Sequence, residues 1–187
     1  MDEGRYLTNH FLIAMPSLLD PNFSRGVTFL CQHSKEGAMG IIVNRAAPLT
    51  LGDVLAQMNI TTGIEAVASA PVFFGGPVQP ERGFVLHDAG GTWDSSFEIS
   101  DSLAVTTSRD ILAAMAEGKG PKRALVALGY AGWSEGQLEQ EVRDNAWLTA
   151  SATPELIFDT PTEQRWNAAA ALVGIDLSLM SDQAGHA

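Results

Sequence analysis

A chain of 187 residues, 45% hydrophobic and 18% charged, has enough apolar side chain to fill one core, so a single domain over 1–187, open to division into two lobes, is expected. The net charge of −11 is unevenly placed: residues 1–50 balance four basic against four acidic groups, while 51–187 hold seven against eighteen. That excess, with Lys119, Lys122 and Arg123 as the only basic cluster, weighs against nucleic acid as a partner and against direct transcriptional control, because phosphate recognition needs a Lys/Arg face. No apolar run reaches the length of a membrane span, the acidic start Met1-Asp2-Glu3 lacks the pattern of a signal peptide, and the single cysteine excludes an internal disulfide; a cytoplasmic location away from membranes is expected.

In chain order, His10–Met15 is an apolar strand stopped by Pro16, and Leu18–Phe23 is a loop. Gly26–Gln32 alternates, with Val27, Phe29 and Cys31 on one face and Thr28, Leu30 and Gln32 on the other. Lys35-Glu36-Gly37 is a hairpin turn into the apolar strand Ala38–Asn44. Leu51, Val54, Leu55 and Met58 have helical spacing, Thr50 with Asp53 supplies a capping box, and Leu49 with Val54 a staple. Residues 59–70 fit either a short strand or a loop. Val72–Phe74 leads into Gly75-Gly76-Pro77, a loop continues to Arg82, and Gly83–His87 is the next strand. Phe97–Ile99 and Leu103–Val105 are short strands beyond the turn at Asp88–Gly91. Thr107 with Asp110 is expected to cap a helix that buries Ile111, Leu112 and Met115 and ends at Gly118.

Ala124–Gly129 reads as a strand covered on both faces, Tyr130–Trp133 as a turn, and Ser134 with Gln137 as the capping box of the next helix, stapled by Trp133 and Leu138. On that helix Leu138 and Val142 are expected inward, and Glu135, Glu139 and Glu141 outward. Its free N–H groups offer an anion site, though the glycine spacing matches neither the Walker loop nor the dinucleotide fingerprint. Ala146–Leu148 is extended. Leu156–Phe158 reads as a strand. Thr160, Pro161 and Glu163 open a last helix with Trp166, Ala169, Ala170 and Val173 inward, closed by Gly174. Strands in runs with interspersed helices indicate an α+β fold.

Chemistry is sparse. Cys31 and His33, at i and i+2 on a strand, point the same way in regular geometry, and an imidazolium beside a thiol lowers its pKa. The stronger reading makes Cys31 a core filler behind Val27 and Phe29. Asn44, Arg45, Arg82 and His87 stand at strand ends beside glycine loops, where clefts form; Gly75 and Gly76 either present N–H groups to an anion or permit a tight turn. Together these residues make the candidate pocket. No Gly-x-Ser-x-Gly elbow occurs, and the four histidines and Cys31 show no paired ligand spacing for a metal. No cofactor motif is present. Trp133, Trp147 and Trp166 lie in apolar patterns expected for a core; Trp93, between Gly-Thr and Asp-Ser, is placed to anchor a partner.

Several stretches carry a family likeness: Asn9–Pro16, Phe23–Val27 with Cys31 and His33, Gly37–Asn44, Gly75–Val78, Arg82–His87, Leu128–Trp133 with Gln137-Leu138-Glu139, Asn145–Leu148 and Gly185–Ala187. In these the chain resembles the AlgH-like family of bacterial proteins, departing mildly at Gly26, where serine is common. The resemblance implies an α+β fold whose mixed, forked β-sheet curls into a partial barrel with short flanking helices. It implies a regulatory association with alginate production and no catalytic residue to carry over. The expectation is a non-catalytic binding or regulatory protein acting through a protein partner or a small ligand. The alternative is a thiol-based enzyme or redox switch using Cys31 with His33.

Overall fold

Strand β9 (Ala124–Trp133) is the spine of the molecule. The computed structural model describes residues 6–180, so the closing Gly185-His186-Ala187 motif lies outside it. Around β9 are assembled β1 (His10–Ala14), β2 (Val27–Ser34), β3 (Gly37–Ile42), β4 (Ala46–Thr50), β5 (Pro71–Phe74), β6 (Val78–Asp88), β7 (Ser96–Glu98), β8 (Leu103–Thr106) and β10 (Trp147–Ser151). Their order is β10-β1-β2-β3-β9-β6-β8-β7, with β4 and β5 branching off.

The fork lies at Gly129. Below it, Val126–Leu128 pair in parallel with Val72–Phe74 of β5; above it, Ala131–Trp133 pair antiparallel with Ala38–Gly40 of β3. Tyr130–Trp133 is therefore strand, not the expected turn. Gly129 absorbs the bend with a φ of 79°, which an L side chain rarely adopts, and Gly132 sits in ordinary strand geometry. Along its other edge β9 pairs with Gly83–His87 of β6 and again at Val78↔Tyr130, and residues 79–82 bulge between.

The sheet curls because its ends share one core. Phe11 and Ile13 of β1 and Leu103 and Val105 of β8, far apart in the strand order, meet with Phe29, Ile41, Phe84, Leu86 and Leu125 in a single buried cluster. Each such side chain removed from water contributes about 1.5–3 kcal/mol. Helices α5 (Pro154–Phe158) and α6 (Arg165–Ala171), joined through the 3-10 turn Thr162–Gln164, add Leu156, Ile157, Trp166, Ala169 and Ala170. Leu156–Phe158 is thus helix where a strand was expected; Thr153 caps it by accepting from the Leu156 N–H, and Pro154 starts it. Val173, expected inward, is exposed.

A second cluster covers the opposite face, where Val72, Val85 and Val126 meet α1 (Leu51–Gln57) and α3 (Arg109–Ala116). The capping box of α1 forms as expected: Asp53 Oδ2 accepts from the Thr50 N–H at 2.8 Å and Thr50 Oγ1 from the Asp53 N–H at 3.3 Å. The short α2 (Glu65–Ala68) falls in the ambiguous stretch 59–70. Helix α3 is preceded by Ser108, not Thr107; Asp110 turns outward to accept from the Ser108 hydroxyl and the Asp94 N–H.

Helix α4 (Gln137–Arg143) begins after Gly136, two positions later than a cap at Ser134 predicts. Half of the capping box survives: Gln137 Oε1 accepts from the Ser134 N–H at 3.0 Å. Its acidic face is not all outward. Glu141 Oε1 accepts from the indole N–H of both Trp133 and Trp147 at 3.0 Å, pinning the buried tryptophan pair.

Candidate functional site

The residues singled out from sequence do not converge. Between β2 and β3 the pairing steps from Leu30↔Gly40 to Gln32↔Met39, leaving Cys31 as the extra residue of a bulge. Cys31 packs in the main core with Phe29, while beyond the bulge the alternation is inverted, so His33 sits across from Ala38 on the other side, beside Tyr6. Two residues that point together in a regular strand are thereby turned apart. Burial pushes the Cys31 thiol well above its usual value, opposite to what a reactive thiol needs. His33 is fully occupied: Nδ1 accepts from the Leu7 N–H at 2.9 Å, which leaves the proton on Nε2 to donate to Glu139 at 2.6 Å. It ties β2 to α4.

Asn44 and Arg45 are loop clamps. Asn44 accepts from the Val27 N–H at 2.9 Å and donates to the Arg25 carbonyl at 3.0 Å. Arg45 gathers the carbonyls of Pro21, Asn22 and Ser24 at 2.6–2.7 Å. The Gly75-Gly76 loop is the packing of the fork. A Cβ on Gly76 would lie 2.1 Å from the Tyr130 carbonyl carbon, and one on Gly75 2.3 Å from the Gly129 oxygen. The Gly75 N–H is already donated to Leu128 at 2.8 Å, so it faces no anion.

His87 is wholly buried. Its Nδ1 lies 2.7 Å from the Asp88 carbonyl, which can only accept, so Nε2 accepts from the Thr106 hydroxyl at 2.7 Å, and Thr106 in turn contacts Ser96. The chain of bonds knits β6, β8 and β7 together. Trp93 is half-buried against the α1–α3 cluster rather than projecting.

Of the candidate pocket, Arg82 borders a hollow, its guanidinium 5.3 Å from the centre of the Phe84 ring. Two hollows meet at Phe84 and Thr107. The deeper is a cleft of about 290 Å³ between α1, α3 and the strand edge at Gly83. Val54, Met58, Phe84, Leu112, Val126 and Leu128 give it apolar walls; Gln57, Glu81, Thr107, Ser108 and Arg109 give it a polar rim. Arg109 straps its mouth, donating to the Met58 carbonyl at 3.2 Å. The second, open and about 570 Å³, is bordered by Gln32, Arg82, Ser96 and Tyr130. Sequence reading missed the cleft because its walls come from separated elements. One signal was present: Gln79-Pro80-Glu81-Arg82 is a polar insertion between apolar strand residues, and it bulges out to open the edge at Gly83.

An apolar cleft with a sparse polar rim, set between short helices and a forked, curled mixed sheet, is carried by an α+β fold. The AlgH-like family model matches residues 11–178, and the chain belongs to that family. It is 59% identical over 187 residues to a UPF0301 protein of Thioalkalivibrio sulfidiphilus, covering all of both chains. It is 54% identical over 184 residues to one of Methylococcus capsulatus, covering 98% of each. The solution structure of the AlgH protein from Pseudomonas aeruginosa superposes with a TM-score of 0.81 at 48% identity, over 100% of this chain and 99% of that one. A crystal structure from Corynebacterium diphtheriae, 21% identical with a TM-score of 0.73 over 94% of this chain and 91% of that one, shares the fold. Among the described residues no helix is long and apolar enough to cross a membrane.

Proposed function

We propose that this chain is a non-catalytic binding protein that takes a small ligand in the cleft over Phe84. The observation behind this reading is the contrast in lining: the cleft pairs an apolar floor with a rim of Gln57, Thr107, Ser108 and Arg109, whereas Cys31, His33 and His87 are committed to packing and internal hydrogen bonds. Both walls are short helices, so occupancy that fixes α1 against α3 alters the surface offered to a protein partner; this is how binding becomes regulation. The thiol-enzyme reading loses its geometry, because the bulge separates Cys31 from His33. Direct DNA contact is opposed by the net charge of −11.

The test is a thermal-shift screen of small metabolite-like compounds against the intact protein and Gly83→Leu. A Cβ at Gly83 meets nothing within 4 Å, so leucine enters the cleft without disturbing the strand. Compounds that raise Tm in the parent and lose their effect in the variant are the expected result. Equal responses in both proteins would exclude the cleft as the site.

A further inference from the structure

A third hollow lies between α5, the 3-10 turn and β5, and it is bordered by a buried cation with no counter-ion among the described residues. Arg165 is 6% exposed. Its Nε donates to the Thr160 carbonyl at 2.9 Å and its Nη1 to the Val43 carbonyl. A guanidinium has five N–H donors, and neutral carbonyls leave its charge uncompensated. The described ion pairs are His33–Glu139, Lys119–Glu117 and Arg123 with Asp88 and Asp159; Arg165 is in none of them. Glu163 is exposed to solvent and acts on it only at a distance. Arg165 is also the single charged residue bordering a hollow of about 240 Å³, whose other lining side chains, Thr162 apart, are apolar. Phe73 closes one side, its ring centre 5.2 Å from the guanidinium carbon, and the Thr162 side chain stands at the rim.

A buried guanidinium facing an apolar chamber favours a ligand that is anionic at one end and apolar at the other. The guanidinium fork matches a carboxylate in two parallel hydrogen bonds, and low polarity around the pair strengthens both. At ~30 Å³ for each water-sized unit, the hollow admits on the order of eight non-hydrogen atoms. We infer that this hollow is a binding site for a short-chain carboxylate, with Arg165 holding the head and Phe73, Met115 and Ile157 the apolar body. Phosphate-headed ligands fit less well, since Thr162 is the only other polar side chain at the chamber and a dianion would remain half-paired.

The experiment titrates the full chain with sodium hexanoate, following methyl NMR signals of Met115 and Ile157. Saturable shifts at both are expected, with 1-hexanol (body without head) and acetate (head without body) binding at least tenfold more weakly. Arg165→Met is expected to weaken hexanoate at least tenfold. Hexanol binding as tightly as hexanoate, or hexanoate moving only Met58 and Leu112 in the other cleft, overturns the assignment. Should Arg165→Met fail to fold, Ala124→Leu adds bulk at another lining position with Arg165 intact. Loss of hexanoate binding then supports the site, and unchanged affinity rejects it.

Discussion

The bulged hairpin of β2 and β3 and the cleft beside β6 both depart from regular strand pairing, and to opposite effect. At the hairpin the extra residue is Cys31, and the departure turns the chain's reactive side chains into structure: the thiol goes into the core and His33 across to Glu139. At β6 the departure is the longer bulge 79–82, which opens the sheet edge and leaves a lined hollow. A bulge is thus no marker of function by itself. What matters is whether the side chains around it spend their hydrogen bonds on the protein or keep them for something else.

Substitutions at the two regions and at the fork that joins them sharpen this contrast. The largest effect is expected at Gly76→Ala, where the new Cβ would meet the Tyr130 backbone at 2.1–2.2 Å; a loss of about 4 kcal/mol or failure to fold should appear in denaturant melts. Arg45→Ala removes bonds to three carbonyls and should cost about 2–4 kcal/mol by the same measurement, with no change in ligand response. Cys31 should react with a disulfide reagent at neutral pH more than tenfold slower than free cysteine, because burial raises its pKa and leaves almost no thiolate. Fast labelling of the native state would restore the thiol-switch reading.

A smaller effect concerns the loop before α3. Against desolvation, which pushes it up, hydrogen bonds from Ser108 and the Asp94 N–H hold the Asp110 carboxyl below its ordinary range. A lowered folded-state pKa stabilises the protein above the unfolded value of about 3.9 and is lost as pH falls through the lowered one. Asp110→Asn should therefore flatten the acid limb of a stability–pH curve below about pH 4. Gly83→Leu should change stability least, within about 0.5 kcal/mol.

Much of the fold was legible. The capping box of α1, the hairpin turn at Lys35–Gly37 and the central apolar strands follow directly from residue types whose local hydrogen bonds and periodicity leave few options. The errors share a cause: short segments decided by tertiary pairing. Gly129 and Gly132 both suggested a turn, yet only the first bends, and pairing with β3 keeps the rest extended. Leu156-Ile157-Phe158 is apolar in either state, and Thr153-Pro154 before it was the helix-start signal that should have decided. The site was far less legible. Period-two reasoning put Cys31 and His33 together, and a single unpaired residue, invisible in composition, undid it. The cleft and the Arg165 hollow depend on residues brought together from distant elements, and no local pattern announces them.

Ligand binding in the cleft is tested by methyl NMR of the intact protein, with compounds that raise Tm titrated against the signals of Val54, Met58 and Leu112. Saturable shifts at these three residues, lost in Gly83→Leu, are expected. Shifts confined to other surfaces, or persisting undiminished in that variant, would contradict it.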